Sequence, residues 1–419
     1  MTHAPSFMRP AVSLARVTTS AAFLALAAPS FAAGSFTEAL TGGKPSADIR
    51  FRYETVDQDN ALKNADAATV RLRLGYETGE FNGFGAFVEA EHVTDLVDDY
   101  NSASNGKTTY SIIADPESTE INQAYLSYAG LPDTKLKYGR QRLILDNHRF
   151  IGNVGWRQNE QTFDAFTLVN KSLPATTITA GYIYNVNRVF GDETKIPTTT
   201  FANTGDARMK SPIFNVSYKG WSAGEIVGYG YLLEYTDAAF VGNSTQTYGL
   251  RFKGDRALAD GMKLLYTAEY ASQSDYANNP VSYDVDYGFL EAGIGIGAHT
   301  FKLGYELLGS NGAKSFQTPL ATLHAFNGWA DVFLATPATG LEDVYLSAAT
   351  TLYGNKLEAV YHDYQADKGG ANLGSEWNLS AARAIDKNYL VGIKYASYKA
   401  DTAATVDTDK FWLWAEAKF

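Results

Sequence analysis

Period-two alternation of apolar and polar residues, repeated along almost the whole chain, is the feature that most constrains this fold. Val70, Leu72 and Leu74, for example, alternate with Arg71 and Arg73. Similar segments of about ten residues recur with Gly, Asn, Asp and Pro between them, as expected of strands separated by turns. No amphipathic helix of normal length interrupts them. The sequence therefore predicts an all-β fold.

Composition excludes several other classes. Of the 419 residues, 45% are hydrophobic, yet beyond the N-terminal segment no window is apolar over the 18 or so positions that a spanning helix requires. A helical-bundle membrane protein is therefore excluded. The chain contains no cysteine, which removes disulfide scaffolds, thiolate metal sites and cysteine nucleophiles. A net charge of -11 argues against nucleic-acid binding through a basic surface.

The N-terminal segment has the pattern of an export signal. Residues 1–16 carry two arginines and no acid, residues 17–28 form a short apolar run, and residues 30–32 have a small-x-small pattern. We predict a signal peptide over residues 1–32, cleaved after Ala32, and a single exported domain over residues 33–419. The alternative is a retained membrane anchor, which needs a longer apolar run.

Alternation alone does not separate a membrane barrel from a soluble β-sandwich or propeller. Aromatic residues make up 13% of the chain and stand at the ends of the apolar faces, where a membrane barrel has its interfacial girdle. The run Val227, Tyr229, Tyr231 and Leu233 is one such face. We count roughly 18 segments, an even number, as bacterial outer-membrane barrels have. We therefore predict a transmembrane antiparallel β-barrel of about 18 strands with lumen-folded loops.

The C-terminal residues support an outer-membrane location. Phe411, Leu413 and Phe419 lie on one face of the last segment, and Trp412 and Trp414 lie on the other. This ending resembles the signal by which outer-membrane barrels are recognised by their assembly machinery. We therefore predict Phe411, Leu413 and Phe419 as the assembly signal of an outer-membrane protein.

Three stretches carry a family resemblance. They are SFTEAL at 35–40 with DIRFRYE at 48–54, YGRQ at 138–141 with DNHRFIGNVGWRQN at 146–159, and FQTPLATLH at 316–324 with FNGWAD at 326–331. Together they resemble the alginate-export domain family of outer-membrane β-barrels. The resemblance implies a barrel of about 18 strands. It also implies a channel, because founding members of the family pass an anionic exopolysaccharide through an arginine-lined pore.

The first three predicted strands supply candidate pore residues. Alternation places these charged residues on the lumen side: Arg50, Arg52, Arg71, Arg73, Glu89 and Glu91. Free guanidinium groups there would bind the carboxylates of a polyuronate. Alternatively, Arg71 and Arg73 pair across the ladder with Glu89 and Glu91 and leave little free charge. The sequence leaves both alternatives open.

Two further stretches are expected to fold into the lumen and form a constriction. The first, after Tyr138, contributes Arg140, Arg142, Arg149, Arg157 and Trp156. The second, residues 310–340, contains Asp331 and four large apolar residues: Phe316, Phe326, Trp329 and Phe333. So many apolar groups in a long loop would be buried inside the pore. Trp156 and Trp329 would either stack on sugar rings or wedge the loops against the wall. Residues 94–117, by contrast, are expected to form a solvated extracellular loop.

No constellation for catalysis stands out. The histidines of the predicted mature chain are widely separated: His92, His148, His299, His324 and His362. None has the spacing of a zinc site, and no serine accompanies Asp146 and His148. Structural hydrogen bonding is the expected role of these histidines. We predict no enzyme, no cofactor and no metal, although barrel enzymes exist and form a third alternative.

The sequence predicts a channel with two alternative cargoes. One is an anionic polysaccharide, exported through a partly arginine-lined pore. The other is a range of small solutes, admitted by a general or substrate-selective porin. Expected partners are outer-membrane lipid, the barrel assembly machinery, the cargo and periplasmic secretion proteins, with no nucleic acid.

Overall fold

The structure is a computed structural model that describes residues 33–191 and 204–419. The predicted signal peptide, residues 1–32, lies outside the described residues. A short helix, α1 (Phe36–Thr41), precedes a single antiparallel sheet of eighteen strands. Ser35 caps this helix by accepting a hydrogen bond from the backbone N–H of Glu38 at 3.2 Å.

Each strand pairs with the next in sequence. The strands are β1 (Lys44–Gln58), β2 (Ala65–Glu77), β3 (Phe84–Asp99), β4 (Ser118–Leu131), β5 (Thr134–Gln141), β6 (Thr162–Asn170), β7 (Thr176–Asn187), β8 (Asp206–Trp221), β9 (Gly224–Leu233), β10 (Thr245–Ala257), β11 (Met262–Asp275), β12 (Asp284–Ile296), β13 (His299–Leu308), β14 (Leu341–Leu352), β15 (Asn355–Gln365), β16 (Asn372–Ala384), β17 (Tyr389–Ala400) and β18 (Thr408–Lys418). Single turns of 3-10 helix occur at Val241–Asn243, Ala259–Gly261 and Leu323–Ala325.

The sheet closes on itself because β1 pairs with both β2 and β18. Closure satisfies the backbone groups that an open edge would expose to lipid. The prediction of an eighteen-stranded transmembrane barrel is confirmed.

The two ends of the barrel differ. One end has short turns, such as 132–133 and 353–354, and here β1 begins and β18 ends. The other end has the long connections 100–117, 142–161 and 309–340. Outer-membrane barrels show the same asymmetry, with short periplasmic turns and long extracellular loops.

The outer face of the barrel is apolar. Its exposed residues include Leu74, Leu126, Leu290, Leu303 and Leu346. On β2, Arg71 and Arg73 alternate with Leu72 and Leu74 and are buried inside. In the ranges 33–191 and 204–419, no helix is long and apolar enough to cross a membrane.

One apolar face has the opposite orientation to the one expected. Tyr229 and Tyr231 of β9 are buried inside the barrel, where both rings pack on Phe150 of the 142–161 loop at 5.0 and 6.0 Å between centroids. The interpretation of this face as part of the interfacial girdle was wrong. A strand whose inner face meets an apolar loop must be apolar inside, and period-two alternation does not say which face points inward.

Candidate functional site

Two long loops lie inside the barrel, and they pack on each other. Ile151 of the 142–161 loop forms a parallel β-bridge with Leu320 of the 309–340 loop, and neither residue is accessible to solvent. The ring of Phe150 contacts the ring of Phe316 at 6.0 Å, and both are buried. The expectation that these two stretches fold into the lumen is confirmed. Together they occupy part of the barrel interior.

Arg149 joins both loops to the barrel wall. Its Nε donates to the Glu306 carboxylate of β13 at 2.7 Å, and its guanidinium donates to Asn327 of the 309–340 loop at 3.1 Å. The guanidinium also stands 4.7 Å from the ring centre of Phe326, a cation–π contact. Arg149 is 2% exposed. The charge of Arg149 therefore stabilises the position of the two loops.

Arg157 makes a second connection between the same elements. It donates to Glu54 of β1 at 2.9 Å and to Asp331 of the 309–340 loop at 3.1 Å. Asp331 also accepts from Lys410 of β18 at 2.9 Å. Burial opposes ionisation of Asp331, but His324, Lys410 and Arg157 hold the pKa of its carboxyl well below the usual range. The carboxylate therefore stays charged and joined to both loops.

The first strand holds the 142–161 loop from below. Arg50 pairs with Glu416 of β18 at 2.8 Å and donates to the carbonyls of Gly155, Trp156 and Arg157 at 3.1, 3.1 and 3.2 Å. Arg52 donates to the carbonyl of Trp156 and forms an ion pair with Asp115. Both guanidinium groups thus bind protein atoms that belong to loops.

Asp115 shows that part of the 100–117 connection is not a solvated loop. Asp115, Tyr100 and Ile113 are each 1% exposed or less, and the backbone N–H of Gln158 donates to Asp115 at 2.9 Å. The expectation of a solvated extracellular loop over residues 94–117 was therefore wrong for Tyr100, Ile113 and Asp115. An acidic residue here is needed to neutralise the guanidiniums below it, which composition alone does not reveal.

Glu160 is the centre of a third group of contacts. It accepts from Arg142 at 2.7 Å, from Asn122 at 2.7 Å and from Asn153 at 2.6 Å, and Arg73 lies 3.4 Å away. Burial raises the pKa of Glu160, but the charges of Arg142 and Arg73 outweigh it and hold this pKa well below its usual range.

The cross-strand alternative holds only in part. Arg73 does pair with Glu91 across the ladder. Arg71, however, pairs with Asp48 of β1 at 2.7 Å, and Glu89 accepts from Asn122 and Gln123 at 2.7 and 3.0 Å. The partners differ from those expected because of the strand register, which places Val93 opposite Arg71 and Gly75 opposite Glu89.

Arg140 does not face the lumen. It pairs with Asp164 at 2.9 Å on the strand face that also carries Tyr138, which is 60% exposed, whereas the adjacent Gln141 is buried inside. The prediction that Arg140 lines the pore was wrong. Strand β5 continues to Gln141, so Arg140 keeps the outward direction of its strand position instead of entering the loop. Arg142, the first loop residue, does point inward, and its side chain is 35% exposed.

Tryptophan and lysine side chains meet where the two loops touch strands β17 and β18. Trp156 stacks on His324 with 5.0 Å between ring centroids, and the Lys394 ammonium stands 3.8 Å from the ring centre of Trp329. His324 hydrogen-bonds Asp331 through Nδ1 at 2.7 Å. Burial lowers the pKa of His324 to about 3, so the ring is neutral. Both tryptophans thus contact residues of the barrel wall, and their role as wedges or as platforms for sugar rings stays a prediction.

Several of these residues were not found from sequence. Asp115, Glu306, Lys394 and Lys410 complete the loop contacts, and each comes from a different part of the chain. The sequence indicated only that these residues occupy inward strand positions. Many other residues occupy such positions, so this pattern could not single them out. Among the described ranges, no group of three or more His, Asp or Glu residues is arranged to hold a metal ion.

The predicted assembly signal lies on the outside of β18. Phe411 and Leu413 are exposed on the outer face, and Phe419 is exposed beyond the end of the strand. Trp412 and Trp414 face inward and are buried against Trp156, with ring centroids 6.0 and 5.3 Å away. Recognition of the outward residues by the assembly machinery stays a prediction.

Gly328 sets how closely the 309–340 loop approaches the wall. Its φ is +87°, and a Cβ there would lie 2.3 Å from both the Tyr364 hydroxyl and the Glu376 carboxylate. We expect Gly328→Ala to displace the loop and to speed proteolysis within it by roughly tenfold or more, because strain and overlap act together. Gly242→Ala is the control, since a Cβ at that position meets nothing within 4 Å. Equal cleavage rates in the two variants would contradict this account.

The fold and the lumen loops define the class of this protein, an outer-membrane β-barrel with long loops inside it. The model of the family described as alginate export matches residues 44–322, more than half of the chain. The protein belongs to the alginate export family. No curated protein matches the chain.

Several solved structures share the fold. Pseudomonas aeruginosa OpdK, crystallised with vanillate, aligns with a TM-score of 0.70 at 15% identity over 91% of this chain and 99% of that one. Acinetobacter baumannii OccAB4 aligns with a TM-score of 0.71 at 15% identity, covering 90% and 98%. Pseudomonas aeruginosa OccD3 (OpdP) reaches 0.67 at 18% identity, covering 91% and 92%. Family and fold together support an outer-membrane channel.

Proposed function

We propose that this protein is a substrate-selective diffusion channel that passes small solutes across the outer membrane. The observation that carries the proposal is the pair of loops, 142–161 and 309–340, held inside the barrel by buried ion pairs at Arg149 and Arg157. A lumen narrowed in this way suits small solutes. The structural relative crystallised with vanillate is consistent with such a cargo.

Export of an anionic polysaccharide is the second candidate. The match to the alginate export family favours it. Against it, the guanidiniums of Arg50, Arg52, Arg149 and Arg157 are bound to protein atoms, which leaves few of the predicted arginines for a polyuronate. Neither candidate includes a chemical step, and family and fold point to transport instead of catalysis. The periplasmic partners and the assembly machinery remain proposals.

Bilayer recording and liposome swelling distinguish the two candidates. The purified barrel is placed in a planar bilayer under a salt gradient, and polyuronate and neutral oligosaccharides are added in turn. We expect small organic solutes to permeate liposomes and polyuronate to leave the current unchanged. Block of the current by polyuronate would favour the polysaccharide conduit, and absence of any conductance would remove both candidates.

Arg142 is the predicted arginine best placed to act on permeant ions. Its side chain is 35% exposed inside the barrel, although Glu160 partly neutralises it. We expect Arg142→Ala to lower the anion-to-cation permeability ratio by roughly twofold, because a nearby lumen charge acts within one screening length. Arg140→Ala is the matched control on the outer face and should leave the reversal potential unchanged. An equal shift in both variants would remove Arg142 from the conduction path.

A further inference from the structure

Lys394 of β17 lies at a point where both lumen loops meet the wall. Its ammonium is 4.5 Å from the ring centre of Trp156 in the 142–161 loop and 3.8 Å from that of Trp329 in the 309–340 loop. A third ring, Trp412 of β18, is 5.7 Å away. Lys394 therefore contacts both loops and the wall through a single charged atom.

The hydrogen bond of this ammonium is made to a neutral group. Lys394 Nζ donates to Nε2 of His324 at 2.8 Å, and the other ring nitrogen of His324 faces Asp331. Within the described part of the chain, no carboxylate lies within ion-pair distance of Lys394. Lys410, by comparison, pairs directly with Asp331 at 2.9 Å. Aromatic rings and an imidazole hold the Lys394 charge less firmly than a carboxylate would.

A carboxylate is available on the same row of the barrel wall. Lys394 is the cross-strand partner of Ser380, and Ser380 is the partner of Glu358 of β15. Glu358 thus stands two strands from Lys394, about 10 Å between backbones, on the same inner face. Glu358 is half-buried, and among the described residues its side chain forms no hydrogen bond or ion pair. The small side chain of Ser380 leaves the space between them open.

We propose that Lys394 is a latch with two positions. In the position described, its ammonium holds Trp156 and Trp329 together and keeps the loops closed. In the second position it turns across Ser380 to pair with Glu358, which leaves the tryptophans without their cation and releases the loops. The channel then widens, so this regulation rests on the proposed channel function.

Thiol labelling measures the opening of the loops separately from ion conduction. Because the natural chain has no cysteine, Ala330→Cys introduces a single thiol at a loop position that is 3% exposed. A water-soluble maleimide would label this thiol slowly while the loops stay closed. In this background, Lys394→Met should raise the labelling rate by roughly tenfold or more, because three cation–π contacts and a hydrogen bond are lost.

Two further variants are expected to slow the labelling or to leave its rate unchanged. Glu358→Gln removes the second position and should slow labelling below that of the parent, whereas Lys394→Arg keeps a cation and should stay near the parent rate. Lys302→Met is the control, because Lys302 pairs with Glu291 at 3.1 Å on a wall segment away from the tryptophans. Folding of each variant is checked by heat-modifiable migration on gels.

The outcomes separate the latch from the channel. Equal labelling of Lys394→Met and Lys302→Met would overturn the latch, and an unchanged rate in Glu358→Gln would overturn its second position. Faster labelling in Lys394→Met together with absence of conductance in every variant would support the latch and overturn the proposed channel.

Discussion

Replacing Arg149 with methionine should weaken the attachment of both lumen loops by about 3–5 kcal/mol, the usual cost of leaving one member of a buried ion pair alone. Arg149 and Glu306 are 2% and 4% exposed at their side chains. Without Arg149, Glu306 keeps hydrogen bonds from Tyr287 and Asn327 at 2.7 and 2.8 Å but has no cation. The barrel itself should persist, because its closure depends on the strand ladder.

Single-channel recording and limited trypsin digestion measure this effect. We expect larger and noisier conductance, together with cleavage after Arg157, which is buried while the loops are closed. Arg208→Met is the control, because the side chain of Arg208 is exposed where it pairs with Asp237. Exposed ion pairs of this kind contribute about 0–1 kcal/mol to stability.

A double variant tests the physical cause. Adding Glu306→Gln to Arg149→Met removes the unpaired charge, so part of the lost attachment should return. If the double variant is as loose as the single one, packing of the arginine stem and not its charge holds the loops.

Replacing Glu160 with glutamine should have the largest effect on ion selectivity. Glu160 neutralises Arg142 and contacts Arg73, and it is buried. Removing its charge makes this part of the barrel interior more positive, and charges there are weakly screened. We expect the anion-to-cation permeability ratio to rise by roughly fivefold and the 142–161 loop to loosen.

The pH dependence follows from the lowered pKa of Glu160. A carboxyl whose pKa is depressed in the closed state stabilises that state above its ordinary pKa, and the contribution disappears as pH falls through the depressed value. The contribution of Glu160 to selectivity should therefore stay constant from pH 8 down to about 5.

The reversal potential under a salt gradient measures both the permeability ratio of Glu160→Gln and the pH dependence of selectivity. Glu225→Gln is the control, since Glu225 lies 3.5 Å from Lys219 and its side chain is 32% exposed, whereas Glu160 is buried. A selectivity change in Glu225→Gln equal to that in Glu160→Gln would show that total charge, and not the buried group, sets the ratio.

Much of the fold was predictable from local pattern. Alternation, as in the run from Val70 to Tyr76, determines a strand and its two faces, because side chains on a strand alternate with a period of two. Aromatic residues near the strand ends and the outward Phe411 and Leu413 favoured a membrane barrel. The apolar residues of the 310–340 stretch predicted its burial, because solvent does not tolerate so many of them.

The partners of the charged residues depended on tertiary structure. A period of two does not say which face is the inside, so the tyrosines of β9 were placed on the wrong side. It also does not show where a strand ends, which is why Arg140 was assigned to the lumen. Arg149 meets Glu306, and Lys394 meets Trp329, only because barrel closure brings distant segments across one lumen. The sequence by itself determined a barrel whose interior is partly filled by loops. The closure of the barrel in three dimensions decided which charged residues hold those loops in place.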